Sequence, residues 1–183
     1  MDHIIKTSRL ILQPSCEIDI PFLQDLNARS EAYFYDADMQ PSPDEVTEDC
    51  RWFIENVKLL PNKGGIRWVV KLNNISIGEV HVQCNWERTS EWEFGYHFIK
   101  EYWGNGYASE ALRAIIPYVF NYFKINRLVA FTNANNKESI ALLKRVGIFE
   151  EARLREVRIS GGVYCDEMVY SLLKREYTGI SFN

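Results

Sequence analysis

The sequence has no surplus of positive charge: 21 Lys and Arg stand against 25 Asp and Glu, a net charge of −4. A nucleic-acid backbone is therefore not an expected partner. No run of about 18 apolar residues is present, which excludes a helical membrane span. The start, Met1 to Arg9, lacks the apolar segment of a secretion signal. Four cysteines, Cys16, Cys50, Cys84 and Cys165, are scattered without a Cys-x-x-Cys pair. That spacing argues against zinc or any other metal, and isolated thiols suit a reducing cytoplasm. Repeats, low-complexity tracts and long linkers are also missing. The remaining composition, 46% hydrophobic and 14% aromatic over 183 residues, describes a chain with a well-filled core, expected to form one domain over residues 1–183.

The periodicities place the elements. Ile4 to Gln13 reads as a strand with Leu10 and Leu12 on one face. Asp19 before Ile20-Pro21 opens one helix, and Ser42-Pro43-Asp44-Glu45 opens a second that runs to about Leu60. Strands are expected over Ile66–Leu72, Ile75–Cys84 and Trp92–Ile99. In the third, Trp92, Phe94, Tyr96 and Phe98 share a face that reads as core, opposite Glu93, Gly95 and His97. Tyr107 to Phe123 is a helix that Pro117 should kink. A strand at Arg127–Thr132, a helix at Asn136–Val146 and two strands joined at Gly161-Gly162 complete the chain. This alternation argues for a single mixed α/β domain.

One stretch carries more chemistry than the others. In Tyr102-Trp-Gly-Asn-Gly-Tyr-Ala-Ser109, two glycines precede the start of a helix. Backbone N–H groups at a helix start form an anion site, and glycine lets a ligand approach them closely. A tight strand-to-helix turn is the plainer alternative. Neither a third glycine at Gly-x-Gly-x-x-Gly spacing nor a Gly-Lys-Ser/Thr sequence is present, which weighs against dinucleotide and nucleoside-triphosphate loops.

Trp103-Gly-Asn-Gly-Tyr-Ala108 resembles the acetyl-CoA pyrophosphate loop of the GNAT N-acetyltransferase superfamily, with Trp103 where Gln or Arg is usual. Asn136-Lys-Glu-Ser139 followed by Leu143-Lys-Arg-Val-Gly147 is similar to a second signature, in the branch that includes the ribosomal-protein N-terminal acetyltransferases. Ile148 departs from its usual Phe. The resemblance spans nearly the whole chain. It implies a mostly antiparallel sheet flanked by helices and acetyl-CoA as cosubstrate. It also implies a primary amine as acceptor, first a protein or peptide N-terminus, then a polyamine, amino acid or aminoglycoside. A homodimer is compatible with it, and a non-catalytic acyl-CoA-binding module is the alternative from another class.

The resemblance also distributes roles. Trp103, Gly104, Asn105, Gly106, Tyr107, Ala108 and Ser109 would hold the pyrophosphate, and the backbone of Phe98 and Ile99 the pantetheine arm. Asn136 would bond the pantetheine region, Arg145 would reach the terminal phosphate, and Ser139 would protonate the leaving thiolate, because the usual Tyr is here Leu143. Helix capping by Asn136 and an exposed Arg145 are the structural alternatives. If the strands carrying Glu79-x-His81 and Glu93-x-Gly95-x-His97 are neighbours, these side chains form a polar stripe or an ordinary solvated face. Within the stripe Glu93 is the first candidate base and His81 the second.

Overall fold

The computed structural model describes residues 2–29, 31 and 33–177. Its sheet begins differently from the expected single strand at Ile4–Gln13. β1 (Ile5–Lys6) and β2 (Leu10–Pro14) are two antiparallel strands. The chain reverses because Thr7 N–H donates to Leu10 O at 3.0 Å and Leu10 N–H donates to Thr7 Oγ1 at 2.9 Å. Beyond them lie α1 (Ile20–Ala28) and α2 (Pro43–Asn56). Ser42 Oγ accepts from Glu45 N–H at 3.3 Å, and the Glu45 carboxylate accepts from Ser42 N–H at 2.8 Å. This reciprocal cap fixes the start of α2. The helix stops at Asn56, and a short 3-10 turn at Val57–Leu59 covers the rest of the span expected to be helical.

The centre of the sheet follows as β3 (Gly65–Leu72), β4 (Ile75–Trp86) and β5 (Glu91–Phe98). The chain then crosses through α3 (Tyr107–Tyr122), which continues through Pro117 as one helix, to β6 (Arg127–Asn133). After α4 (Lys137–Arg145) come β7 (Phe149–Ser160), β8 (Val163–Leu173) and the short α5 (Lys174–Tyr177). The strand order is β1-β2-β3-β4-β5-β6-β8-β7, and every neighbouring pair is antiparallel except β5–β6.

Alternation along the strands builds a layer on each face of the sheet. Ile66, Trp68, Val80, Val82, Trp92 and Phe94 pack with Leu112, Ile115, Ile116, Val119 and Phe120 of α3 and with Leu143 of α4. The opposite face buries Val69 with Ile20, Leu23, Val46 and Cys50 of α1 and α2. No described helix is long and apolar enough to cross a membrane.

Glu110, in the first turn of α3, fastens the β1–β2 turn to that helix. Its Oε1 accepts from Thr7 Oγ1 at 2.6 Å, Ser8 Oγ at 3.1 Å and Arg9 N–H at 3.0 Å, and its Oε2 accepts from Arg9 Nε at 2.6 Å. Burial alone would raise the carboxyl's pKa, but the donors from Thr7, Arg9 and Ser8 outweigh it and hold the pKa below the ordinary value. A depressed carboxylate stabilises the fold above its unfolded pKa and loses that contribution as pH falls through its folded pKa. Glu110→Gln should therefore lower unfolding free energy by about 2 kcal/mol at pH 7. In urea titrations at successively lower pH, the gap to the parent protein should close as the parent's carboxyl protonates.

Candidate active site

β5 and β6 start as neighbours and then part. Their register runs Glu91↔Arg127, Trp92↔Leu128 and Glu93↔Val129, and no further pair forms, although both strands continue. Ile99 N–H donates to Ile77 O of β4 at 3.0 Å. Odd-numbered residues of β5 therefore turn their backbone toward β4, and Tyr96 and Phe98 turn theirs toward the gap. Part of that edge is already used. Phe98 O accepts from Trp103 Nε1 at 2.7 Å, and Ile99 O accepts from Tyr102 N–H at 3.0 Å. Both backbone groups of Ile99 are thus engaged within the protein, while Phe98 N–H faces the gap beside the Tyr96 backbone.

The expected all-aromatic core face of β5 divides at this parting. Trp92 and Phe94 are 1% and 3% exposed, whereas Tyr96 and Phe98 are only half-buried. Tyr96 OH lies 2.8 Å from Ser139 Oγ across the gap. Burial pushes the Tyr96 phenol up to about 12, with the Ser139 bond acting the other way, so it keeps its proton at neutral pH. Sequence reasoning placed this residue in the core. The available signal was a hydroxyl within an otherwise apolar alternation, between Phe94 and Phe98. Leu143, where the resemblance has a Tyr, is 1% exposed and belongs to the core. Asn136 is the N-cap of α4, its Oδ1 accepting from Ser139 N–H at 2.9 Å. The capping alternative is therefore realised, and the Asn136 amide nitrogen stays available as a donor.

The glycine turn ends in a basic groove. Gly104 and Gly106 have φ of 76° and 79°, a conformation strained for residues with a side chain. Gly106 is the N-cap of α3, so the N–H groups of Tyr107, Ala108 and Ser109 head the helix. Arg9, stacked 4.5 Å above the Tyr107 ring, donates to Asn105 O at 3.1 Å and steadies the turn. The groove beside it, about 680 Å³, is lined by Lys6, Arg9, Gly106, Ser109, Arg113 and Arg145 among others. Arg145 is exposed, as in the structural alternative, and also lines this wall. Ser109, 6% exposed, has a hydroxyl with no hydrogen-bond partner among the described residues. Four cationic side chains, a helix N-terminus and an unpaired buried hydroxyl together suit a polyanionic ligand such as a diphosphate.

The polar stripe lies on the opposite face, toward α1 and α2. β4 and β5 pair as Glu79↔His97, His81↔Gly95 and Gln83↔Glu93, so these residues share one side. It is not a solvated face. Glu79 is 2% exposed and sits 3.1 Å from both His81 Nδ1 and His97 Nδ1. Arg67 Nε lies 3.3 Å from Glu79, and its Nη2 lies 2.5 Å from Asp49. Burial alone would raise the Glu79 pKa, but His81, Arg67 and His97 together hold it well below the usual carboxylate range. Glu79 thus stays ionised and does not suit a proton acceptor. Glu93 behaves oppositely: burial raises its carboxyl against the pull of His81 and Arg158, the direction a general base needs. Arg67 escaped sequence reasoning, although a lone charge in Ile66-Arg67-Trp68-Val69 was a visible signal.

With the fold and this site in place, comparison with known proteins gives the class. The chain belongs to the acetyltransferase (GNAT) domain family, whose sequence model matches residues 9–148. It is an acetyl-CoA-dependent N-acetyltransferase. The uncharacterized N-acetyltransferase YoaA of Bacillus subtilis is 28% identical to it over 95% of this chain and 98% of that one. Its fold is that of solved acetyltransferases, among them the following two. RimL, the ribosomal L7/L12 α-N-protein acetyltransferase in complex with coenzyme A, aligns with a TM-score of 0.82 at 19% identity, covering 93% of this chain and 98% of that one. Spermidine N-acetyltransferase from Vibrio cholerae, in complex with CoA and spermine, aligns at 0.78 and 22% identity, covering 94% and 99%.

Gly95 tests the geometry of the polar face. A Cβ on this residue would lie 2.5 Å from His81 Cε1 and 2.6 Å from its Nε2. The ring cannot retreat easily, because it bonds Glu79 and packs on Phe53 with ring centroids 5.5 Å apart. Gly95→Ala should cost about 1–3 kcal/mol of stability. In a double-mutant cycle, most of that cost should disappear when His81 is also Ala.

Proposed function

We propose that this N-acetyltransferase acts on the α-amine of a protein or peptide N-terminus. The observation that carries the reading is the parting of β5 and β6, bordered by a raised carboxylate on one face and a proton-bearing phenol on the other. Acetyl-CoA supplies the acyl group as a thioester. In this reading the N–H groups heading α3, Ser109 Oγ, Arg9, Arg113 and Arg145 hold its phosphates, with Trp103, Gly104, Asn105, Gly106, Tyr107 and Ala108 shaping the turn. Phe98 N–H and the Asn136 amide offer donors to the pantetheine arm.

In the proposed reaction the amine nitrogen bonds to the carbonyl carbon, the C–S bond breaks, and the amine's proton passes to Glu93 directly or through water, with His81 beside it. Tyr96 gives its phenolic proton to the thiolate, and the Ser139 hydroxyl donates to the phenolate left behind. Ser139, the acid of the initial expectation, becomes its partner. An α-amine has a reference pKa of about 8 and a lysine-like amine about 10.4, a difference of roughly 3 kcal/mol in deprotonation at neutral pH. A carboxylate raised by burial suits the easier of the two.

Charge pairing also favours a peptide over a polyamine. The loop after α1 is acidic, but Asp36 is bound by Arg158 Nη1 at 2.9 Å and Asp38 accepts from Gly162 N–H at 3.3 Å. Glu138 accepts from Tyr35 OH at 3.3 Å, and Glu167 from Arg158 Nε at 2.6 Å. These carboxylates hold the loop against β7, β8 and α4, so they are committed before a polycation arrives.

Two measurements test the reading. In a CoA-release assay, a peptide with a free N-terminus should turn over at least about tenfold faster than spermidine or the same peptide blocked at its N-terminus, a difference near 1.4 kcal/mol. Preference for spermidine would overturn the acceptor assignment. Tyr96→Phe should lower kcat by about 10²-fold or more while the KM for acetyl-CoA stays close to the parent value. An unchanged kcat would remove Tyr96 from the acid role.

A further inference from the structure

Two histidines share one buried carboxylate beside the parted strands, and the proposed reaction above leaves that carboxylate without a role. We propose that Glu79 is a positioning residue that locks both His81 and His97 as Nδ1–H tautomers, so that each presents its Nε2 as a proton acceptor toward the incoming amine. This rests on the acetyl-transfer reading and adds to it a second route for the amine's proton.

The geometry carries the argument. Glu79 Oε1 faces His97 Nδ1 at 3.1 Å, and Glu79 Oε2 faces His81 Nδ1 at 3.1 Å. An ionised carboxylate only accepts, so each facing nitrogen must carry the hydrogen, and the proton-free nitrogen of each neutral ring is Nε2. Arg67 keeps the carboxylate ionised from its other side, and at 2% exposure little water competes for it. The other groups packed here are committed elsewhere. Asp49 and Cys50 of α2 contact Arg67 at 2.5 and 3.3 Å. Tyr33, whose ring lies 5.6 Å from that of His97, donates its hydroxyl to Asn27 at 2.7 Å. On this face of β5 Glu91 is bonded by Arg127 Nε at 2.8 Å, and Glu93 lies two residues from Gly95, across which the Nε2 edge of His81 is laid. When the C–N bond forms and the C–S bond breaks, the amine's proton can pass to this Nε2, and Glu79 offsets the imidazolium charge.

A ¹⁵N imidazole NMR spectrum of the substrate-free protein at a pH where the rings are neutral tests this without any variant in the core. The sequence has three histidines, and His81→Gln and His97→Gln assign the signals. Both rings are expected to show protonated Nδ1 and bare Nε2, and an Nε2–H tautomer at either ring overturns the lock. In Glu79→Gln the amide offers one acceptor oxygen and one donor nitrogen. One histidine should therefore switch to Nε2–H, with kcat falling about 10²-fold at a nearly constant KM for acetyl-CoA and the acidic limb of the kcat/KM profile displaced to lower pH, because the imidazolium loses its counter-charge. A switched tautomer with unchanged kcat and pH profile overturns the positioning role. A protein with both expected tautomers that is inactive on every amine would sink the acetyl-transfer reading and uphold the lock.

Discussion

The site depends on a sheet that is closed at one end and open at the other. Trp92, Phe94 and Leu128 hold β5 and β6 together at their starts, where burial is nearly complete. Beyond Glu93 and Val129 the strands diverge, and the exposed backbone of a parallel pair becomes an edge inside the molecule. An edge of this kind is ordinarily a liability. Here it is shortened by the protein's own contacts, with Trp103 on Phe98 O and Tyr102 on Ile99 O. The gap also joins the two faces of the sheet. Tyr96 and Ser139 approach it from the α3 and α4 side, Glu93, His81 and His97 from the α1 and α2 side. An unbroken sheet would keep these groups apart, with a layer of backbone between them.

Charge is divided along the same line. The groove at the head of α3 gathers Lys6, Arg9, Arg113 and Arg145 in a chain whose net charge is −4. The opposite face gathers carboxylates, but Arg67 and Arg158 already pair with most of them. The buried Arg67–Glu79 pair is a costly way to stabilise a fold, since both ions lose their water. Its geometry is better accounted for by what it orients, two imidazoles held on one carboxylate, than by net stability.

Much of this was legible in the sequence, and the exceptions have physical causes. The order of strands and helices followed from periodicity, and two alternating polar triplets suggested a shared polar stripe, although the register that sets Glu79 beside His97 comes from the structure. The glycine turn was legible because positive φ before a helix demands that residue type. The break between β1 and β2 was not, because it rests on the Thr7–Leu10 bonds, which no periodicity marks, and on Glu110, about a hundred residues away, which holds that turn in place. Tyr96 was hidden for a related reason. Alternation assigns a face, but only the parting of β5 from β6 decides how much of that face is covered. Arg9 and Arg113 are similar cases: their place in the groove depends on how the N-terminal turn docks on α3.

The proposed acid shows how a role can move between elements. In the resemblance the proton donor projects from the helix after β6, but at that position the chain carries Leu143, buried against α3 and the sheet. α4 keeps only the smaller hydroxyl of Ser139 at the gap, too short to span it. β5 supplies the length from the other side, with the Tyr96 phenol reaching to 2.8 Å from Ser139. The proposed chemistry requires a proton-bearing oxygen at one point in space, and both elements border that point because the strands have parted. A donor from strand or helix therefore meets the same requirement.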